Sequence, residues 1–581
     1  MDQRRLFLAV AISLVILLGF RFILPPPKQA APANAPVATQ TATAPKPNDT
    51  LGVTTQDAGQ APIPTPANTP RLKIAGTRVE GSLSLVGARL DDLILRDYRE
   101  TLAKDSPNVR VLEPQGDPQP YYVDFGWTGV GVKLPDRATQ WATTATELTP
   151  EKPATLTWDN GQGQIFEITL SIDHDFMFTV QQRVRNGGAS PVTVQPYQRI
   201  RRDYTPPVGG YYILHEGMVG VVDGKLQETK YAAAKTDGEK NTNGVAFTSQ
   251  TTGGWAGITD KYWLAALIPP NASPSTVVYA HTTPTIEGKQ TDGYQVGYAQ
   301  PPITIAAAGD AMSATGVFAG AKEVNLLDRY ETSLKITDFW KAVDFGWFSY
   351  ITRPFFYGID WLYQQTGNFG IAILIFTLGL KLAFLPLANK SYRSMSKMKL
   401  LAPKMTQLRE QYKDDPAKLQ PAMLGLYKSE KVNPASGCLP MLIQIPVFFS
   451  LYKVIFVTIE MRQAPFFGWI RDLSAIDPTN VFNLFGLIPF DPAAALPLLH
   501  LGAWPLIMGC TMFFQQRMNP PPPDPMQARL FQFMPIIFTF MLARFPAGLV
   551  IYWSWNNLLT IGQQWLIMRS TRLTRPSLAR V

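Results

Sequence analysis

One lysine lies inside a long apolar segment, where a charged side chain is costly. Lys381 belongs to the run IAILIFTLGLKLAFLPLA, residues 371–388, and Thr377 lies four residues earlier on the same helical face. Charged groups inside membrane segments usually face a water-filled cavity or a polar partner. An ammonium group in such a cavity can attract anions. Alternatively, the lysine stem extends its charge to the headgroups and the residue only anchors the helix.

Polar side chains also occur in the apolar runs that follow Lys381. They are Gln444, Gln515, Tyr552, Ser554, Asn556, Asn557, Thr560, Gln563 and Gln564. Because hydrocarbon offers no hydrogen-bonding partner, each of these groups must pair with another helix or with water. We therefore expect some of them to join helices and the others to line a wet, positively charged groove around Lys381.

The chain carries no recognisable catalytic or metal-binding motif. Its four histidines are scattered, and the Gly-Lys pairs at 224–225 and 288–289 lack the Ser or Thr that completes a phosphate-binding loop. His174 lies between two aspartates, but strand alternation on both sides favours a solvated turn over a metal site. We predict no catalytic residue, metal, cofactor or nucleotide.

Six apolar runs predict a multi-span α-helical membrane protein with six transmembrane helices. They cover residues 6–24, 369–388, 438–459, 496–514, 526–543 and 547–568. The last two are divided at ARFPAG, 543–548, because Arg, Pro and Gly together favour a turn. Residues 1–24 are predicted to form an uncleaved anchor, although a cleaved signal peptide is the alternative. Residues 25–70, rich in Pro, Ala, Thr and Gln, predict a flexible tether.

Basic residues fix the predicted orientation. The loop 389–436 holds ten Lys or Arg against four acids, and the short tail 569–581 is basic without an acid. Positive charge marks the cytoplasmic side of a membrane protein. We therefore expect both termini and this loop in the cytoplasm, and the large domain after the first span on the outer side of the membrane.

The sequence pattern of the outer domain, residues 71–325, predicts an antiparallel β-sandwich. Apolar residues alternate along 165–184, interrupted by a hairpin turn at 173–175. Residues 326–366 then show helical spacing with many aromatic residues, which predicts an amphipathic helix at the outer headgroups. An alternative is that this helix only docks the sandwich onto the membrane part.

Residues 390–432 predict a cytoplasmic helical hairpin. Asp415 and Pro416 are suited to the N-cap and first position of its second helix, and Asn433-Pro434 would end that helix. Four methionines that could contact irregular apolar partners are Met395, Met398, Met405 and Met423. The hairpin is therefore either a receptor for apolar segments or a plain connector.

Five segments carry a family resemblance. They are NPASGCLPMLIQIPVFFSLYKVI (433–455), RQAPFFGWIRDLSAIDP (462–478), DPMQARLFQFMPIIFTF (524–540), FPAGLVIYWSWNNLLTIGQQ (545–564) and, in the outer domain, GGWAGITDKYWLAALIP (253–269). The chain resembles the YidC/Oxa1/Alb3 membrane protein insertases, in the Gram-negative YidC branch. The resemblance implies an inner-membrane insertase and chaperone for nascent membrane proteins, acting alone or with the Sec translocon, with the lipid bilayer and the ribosome or signal-recognition machinery as further partners.

The resemblance also implies individual groove residues. The family has one positive residue five positions before a proline, and Lys381 and Pro386 match that spacing. Thr377 matches a groove residue of the family. Tyr552-Trp553 stands where the family often has two tyrosines, so an aromatic exit path for substrate is expected there.

Two other functions remain open from the residues alone. A small-anion transporter would also need a positive, wet cavity, although the spans show no internal repeat of the kind common in transporters. A structural assembly factor or chaperone would bind its partners through the outer domain.

Overall fold

The computed structural model describes residues 69–208, 214–241, 243–271, 274–286, 288–413, 415–430, 439–490, 492–496, 499–519 and 525–573. The predicted anchor 1–24 and nearly all of the tether 25–70 lie outside these residues. So do the predicted helix end at Asn433-Pro434 and the last residues of the basic tail, 574–581.

Short strands dominate the chain up to residue 321. In chain order they are β1 (Arg71–Ala75), β2 (Val79–Ser84), β3 (Arg89–Arg99), β4 (Asn108–Leu112), β5 (Tyr121–Val130), β6 (Glu147–Leu148), β7 (Ala154–Asp159), β8 (Gln164–Ile172), β9 (Met177–Asn186), β10 (Val192–Arg202), β11 (Gly217–Val222), β12 (Lys225–Lys230), β13 (Val245–Thr252), β14 (Trp255–Thr259), β15 (Trp263–Ile268), β16 (Pro274–Thr282), β17 (Thr285–Ile286), β18 (Lys289–Gln290), β19 (Gly293–Ala299), β20 (Ile303–Ile305) and β21 (Asp310–Ala321).

Helices dominate the rest. They are α1 (Tyr231–Glu239, within the β region), α2 (Val324–Ser333), α3 (Ser349–Thr366), α4 (Phe369–Ala383), α5 (Leu385–Gln411), α6 (Pro416–Ser429), α7 (Leu439–Val457), α8 (Pro492–Ala495), α9 (Ala503–Met518), α10 (Pro525–Leu542) and α11 (Ala547–Leu573), with 3₁₀ turns at Phe339–Ala342, Ile459–Met461 and Val481–Gly486.

The strands form two large sheets around a shared apolar core. One sheet has the order β13-β16-β19-β10-β5-β3-β2-β1-β6, with β20 beside β10 and β4 beside β3. The other has the order β12-β11-β14-β15-β21-β9-β8-β7. The pairings are antiparallel except for the short parallel pair β1–β6, which the sequence analysis did not anticipate. Side chains from both sheets belong to one buried cluster, so the predicted β-sandwich is confirmed.

The predicted hairpin in 165–184 illustrates why these residues form strands. β8 pairs with β9 in a register that places Leu170 opposite Val180, and the turn lies at 173–175. Phe166, Ile168 and the other alternate apolar residues of β8 are buried. The period of two therefore aims one face of the hairpin at the core.

The region predicted as one amphipathic helix, 326–366, is instead divided into α2, a 3₁₀ turn and α3. Phe339 and Phe345 are buried, and the Phe339 ring packs edge-on against a tryptophan of β14. Trp347 and Tyr350 are exposed. The earlier aromatic residues thus complete the sandwich core, and only the later ones remain free to meet headgroups.

Within the described residues, no single helix has both the length and the apolar composition to cross a bilayer, whereas the bent pair Phe369–Ala383 and Leu385–Met395 meets both criteria together. The two members differ in direction by 68°. Pro386 explains the bend, because proline has no N–H and its ring clashes with the carbonyl four residues earlier. The predicted span 369–388 is therefore divided between two helices at residue 384, and the number of spans stays a prediction.

The later helices follow the predicted runs with shifted ends. α9 begins at Ala503 rather than at 496, because the preceding loop caps it there: Asp477 Oδ2 accepts the Trp504 N–H at 2.9 Å, and Thr479 Oγ1 accepts the Ala503 N–H at 2.9 Å. The predicted break at 543–548 is confirmed, since α10 ends at Leu542 and α11 begins at Ala547.

α11 connects two ends of the helical part. At its start, the Ala547 N–H donates to the Ala475 carbonyl at 2.7 Å, in the loop that follows α7. Gln563 Nε2, which lies about 24 Å further along the helix at 1.5 Å per residue, donates to Asn389 Oδ1 of α5 at 3.0 Å. The loop after α7 and the α5–α6 hairpin therefore lie at opposite ends of α11.

The loop after α7 contacts the sandwich. The Tyr262 hydroxyl lies 3.3 Å from Ser474 Oγ, and Glu460 Oε1 accepts the N–H of Val324 at 2.8 Å. Within α7 itself, Lys453 Nζ lies 2.9 Å from Asp344 Oδ1. These contacts place the sandwich at the end of the helical part away from the hairpin.

Candidate functional site

A cavity of about 470 Å³ lies among α4, α5, α7, α9, α10 and α11. The eight side chains predicted to form the groove all line it. They are Lys381, Thr377, Gln444, Gln515, Tyr552, Trp553, Asn556 and Thr560. Tertiary structure thus brings together residues from four helices that the sequence analysis selected as polar or aromatic residues within apolar runs or through the family resemblance. That a substrate contacts them stays a prediction.

Lys381 lies in the last turn of α4, just before the bend. Its ammonium donates a hydrogen bond to Thr560 Oγ1 of α11 at 2.8 Å. Thr560 Oγ1 in turn donates to the Asn556 carbonyl at 2.7 Å. Among the described residues, no carboxylate lies within ion-pair distance of Lys381 Nζ. The cavity therefore contains a cation whose direct partner is a neutral hydroxyl.

Several of the polar groups join helices, as predicted. Asn557 Nδ2 donates to Thr511 Oγ1 of α9 at 3.2 Å, and Gln564 Nε2 donates to Asn519 Oδ1 at 3.1 Å. The Thr377 hydroxyl donates to the Ile373 carbonyl of its own helix at 2.6 Å. The Thr377 donor is therefore already used, and its remaining capacity toward the cavity is that of an acceptor.

The cavity also holds side-chain amides that are not engaged. Within the part of the chain that the structure describes, the amides of Gln515 and Asn556 have no hydrogen-bonding partner, and Gln564 Oε1 is buried without one. An amide provides both donors and acceptors. These groups can hydrogen-bond water or a polar guest.

Aromatic side chains form one wall. Trp553 packs edge-on against Phe448 with ring centroids 4.7 Å apart, and Phe538 lies 5.9 Å away. Tyr552 is only 1% exposed, and its hydroxyl accepts a hydrogen bond from Gln444 Nε2. Of the two predicted exit residues, Trp553 is thus the more accessible and Tyr552 is mostly enclosed.

The four methionines of the hairpin lie in different surroundings. Met395 lines the cavity. Met405 is 7% exposed and packs in a small cluster between α5 and α6, where Met398 and Met423 adjoin it. Met405 therefore helps to pack the two helices against each other, and contact of the four methionines with an apolar partner stays a prediction.

Sequence reasoning missed some lining residues, among them Tyr392, Gln516 and Asn519. Tyr392 falls within the predicted hairpin 390–432. The bend after α4 returns it to the cavity. Pro386 is the signal that could have indicated this, because an internal proline bends a helix.

Comparisons with known proteins cover almost the whole chain. Residues 361–574 match the family model of the 60Kd inner membrane protein, and residues 71–358 match that of the YidC periplasmic domain. A membrane protein insertase YidC of Granulibacter bethesdensis is 60% identical over 100% of both chains. Another of Acidiphilium cryptum is 49% identical over 98% of both.

Solved structures are more distant. A crystal structure of an active YidC insertase with its first transmembrane domain resolved is 18% identical, covers 85% of this chain and 94% of that chain, and has a TM-score of 0.34. The assignment of the chain to a family therefore rests on the sequence relatives. With 60% identity to such a relative along its full length, the chain belongs to the YidC family of bacterial inner-membrane proteins.

Proposed function

We propose that this protein inserts nascent membrane proteins into the bacterial inner membrane and helps them fold, through the cavity around Lys381 and without nucleotide. It works alone or with the Sec translocon. The observation that carries the proposal is that the Lys381 ammonium faces a cavity with both polar and apolar lining and has no carboxylate partner among the described residues. The relatives, which are named membrane protein insertases, support the same activity.

The first step in this proposal is electrostatic. Moving one acidic side chain to the centre of a membrane costs about 2.5–3.5 kcal/mol on insertion scales. An acidic flank of a nascent segment would meet Lys381, which has no ion-pair partner in the part of the chain that the structure describes. Their attraction would be strong because the surroundings exclude much of the water.

The second step is hydration of the remaining polar groups. The unengaged amides of Gln515 and Asn556 offer hydrogen bonds to a peptide backbone or to water. The apolar part of the segment then leaves along the aromatic wall beside Trp553. Its transfer into lipid drives the process at about 0.8 kcal/mol per buried CH₂ group.

The proposed orientation places the sandwich in the periplasm, and the α5–α6 hairpin and both termini in the cytoplasm. The positive charge of the hairpin supports this arrangement, as does its position at the opposite end of α11 from the sandwich contacts. A nascent segment would therefore meet the hairpin first, where the ribosome or signal-recognition machinery delivers it. Met395, at the edge of the cavity, would contact the segment next.

Reconstitution in lipid vesicles tests the proposal. The substrate is a single-span protein with an acidic tail, and the readout is protection of that tail from protease. Lys381→Met should reduce protection at least tenfold, Lys381→Arg should restore it, and a substrate with a neutral tail should be affected less. Lys390→Ala is the matched control, because it removes an exposed positive charge from the adjoining helix α5.

Two results would contradict the proposal. Full protection of the acidic tail by Lys381→Met would show that the charge is dispensable. Flux of a small anion through wild-type vesicles, without any protection of the tail, would favour the transporter.

A further inference from the structure

The segment VFNLFGLIPF, residues 481–490, exposes an unusual concentration of apolar side chains between α7 and α9. We propose that this segment, the outer apolar loop, inserts into the outer leaflet of the lipid bilayer and anchors the sandwich side of the helical part. Leu487 is 83% exposed, Phe490 58%, and Leu484 and Phe485 each 53%. Phe482 and Ile488 are also exposed.

A rigid base holds this loop. Asn480 Oδ1 accepts the Phe482 N–H at 3.1 Å, and Asn480 Nδ2 donates to the Leu499 carbonyl at 2.9 Å. The Val481 N–H donates to the Leu501 carbonyl at 2.8 Å. The start of the loop is thereby joined to the residues just before α9, so the apolar tip extends from an ordered base.

The tip turns through a left-handed stretch of backbone. Leu484 has φ 52°, Phe485 has φ 59° and Gly486 has φ 97°. Residues other than glycine rarely adopt this region. Here two large apolar residues do so in succession, and both side chains remain exposed. The local fold therefore does not use these side chains to form a core of its own.

Most backbone N–H groups of the loop are satisfied internally, which lowers the cost of entering lipid. Seven N–H groups of the loop donate within the protein. They belong to Val481, Phe482, Phe485, Gly486, Leu487, Ile488 and Phe490. Residue 489 is proline and has none. Since most donors already have acceptors, moving the tip from water into lipid leaves few N–H groups unpaired.

Charge and position favour lipid over a protein partner. No charged residue occurs from 478 to 490. The same inter-helix loop contacts the sandwich through Ser474, and residues 71–358 match a family model named as a periplasmic domain. The loop thus lies at the end of the membrane part where the chain meets the outer surface. Apolar segments at such a boundary insert about 5–10 Å into the headgroup and acyl region.

Depth-dependent fluorescence quenching tests the inference. In a background with Cys438→Ser and Cys510→Ser, Leu487→Cys is labelled with an environment-sensitive nitrobenzoxadiazole dye in the full chain. The chain is reconstituted in vesicles of phosphatidylethanolamine and phosphatidylglycerol. Leu226→Cys is the matched control, because Leu226 is an exposed leucine of β12 in the sandwich. Both positions are exposed, so neither label should disturb folding.

We expect the dye at 487 to be quenched at least twofold by lipids that carry a nitroxide near the headgroup, and to be protected from aqueous iodide. The dye at 226 should show the opposite behaviour. Iodide quenching at 487 without nitroxide quenching would overturn the inference. Protection from both quenchers that disappears when the protein is diluted in lipid would also overturn the inference. That result would indicate that a second copy of the chain, and not lipid, covers the loop.

Discussion

Arg202 in the sandwich is buried and Lys381 in the helical part is half-buried, and their charges have different partners. Arg202 of β10 is 3% exposed and makes two hydrogen bonds to Asp260, at 2.6 and 2.7 Å. It also donates to the Tyr231 hydroxyl at 2.7 Å. Among the described residues, the direct hydrogen-bonding partner of Lys381 is the Thr560 hydroxyl.

The difference separates a structural charge from an available one. A buried ion pair with well-placed hydrogen bonds recovers the cost of removing both charges from water. Such a charge is already committed to the fold. A buried cation without a counter-ion keeps most of that cost, so an anionic guest can lower the energy of the site. Because the cavity around Lys381 also offers about 470 Å³ of space for such a guest, we place the activity there.

The largest expected effect is on the sandwich. Arg202→Ala leaves Asp260 without its partner and should lower the free energy of local unfolding by about 3 kcal/mol. Hydrogen exchange of the β10 amides in the full chain measures this change. Arg202→Lys keeps the charge but loses the bidentate hydrogen bonding to Asp260, so the free energy of local unfolding should fall by less. If Arg202→Ala lowers the free energy of local unfolding by less than about 1 kcal/mol, Arg202 is not the structural charge that distinguishes it from Lys381.

A pH effect should appear where the two regions meet. Glu460 lies beyond the end of α7, and burial raises the pKa of its carboxyl to about 8, with Glu323 and Asp360 acting in the same direction. In the unfolded chain its pKa is 4.5. The folded protein therefore holds this proton more tightly. The stabilisation is complete below about pH 4.5 and is lost as the pH rises toward 8.

Glu460→Gln tests this interface. Wild type should lose up to about 1.4 kcal/mol of stability per pH unit between pH 6 and pH 8, and the variant should lose much less. Thermal unfolding of the full chain over this range gives both slopes. Equal slopes in the two proteins would show that another group controls the pH dependence.

A smaller effect is expected in the hairpin. Asp415 accepts the Lys418 N–H at 3.2 Å as the N-cap of α6. Asp415→Ala should destabilise α6 by about 1 kcal/mol, whereas Asp415→Asn should be nearly neutral because it keeps an accepting oxygen. Hydrogen exchange of the first turn of α6 measures both changes. Similar hydrogen-exchange rates in Asp415→Ala and Asp415→Asn would show that the Asp415 side chain does not stabilise α6 as its N-cap.

The smallest effect on stability should come from Lys381→Met. The substitution removes one hydrogen bond but also a cation that is costly to bury, so stability should change by less than about 1 kcal/mol. Thermal unfolding of the full chain measures this change, with Arg202→Ala as the comparison. A loss as large as that of Arg202→Ala would assign Lys381 a structural role.

Local patterns allowed much of the fold to be predicted. Alternation along 165–184 gave the β8–β9 hairpin, and the chain breakers at 543–548 gave the separation of α10 from α11. Asp415 and Pro416 gave the start of α6. Each of these features depends on residues close together in the chain, so it can be read without knowing the tertiary structure.

Long-range packing produced the differences. Met405 follows the helical spacing of an exposed receptor surface, yet α6 covers it. Phe339 and Phe345 have the composition of an interfacial helix, yet the sandwich core encloses them. In each case the local pattern shows an apolar face but does not indicate which distant element will cover it.

The sequence by itself determined that a cation and several polar groups occupy apolar runs, and that they must therefore converge on each other or on water. Only the tertiary structure decided that Lys381 meets Thr560, which lies 179 residues later, and that a 68° bend brings Tyr392 to the same cavity. The physical reason is that the cost of burying a polar group depends on its own chemistry, whereas its partner depends on how distant helices pack.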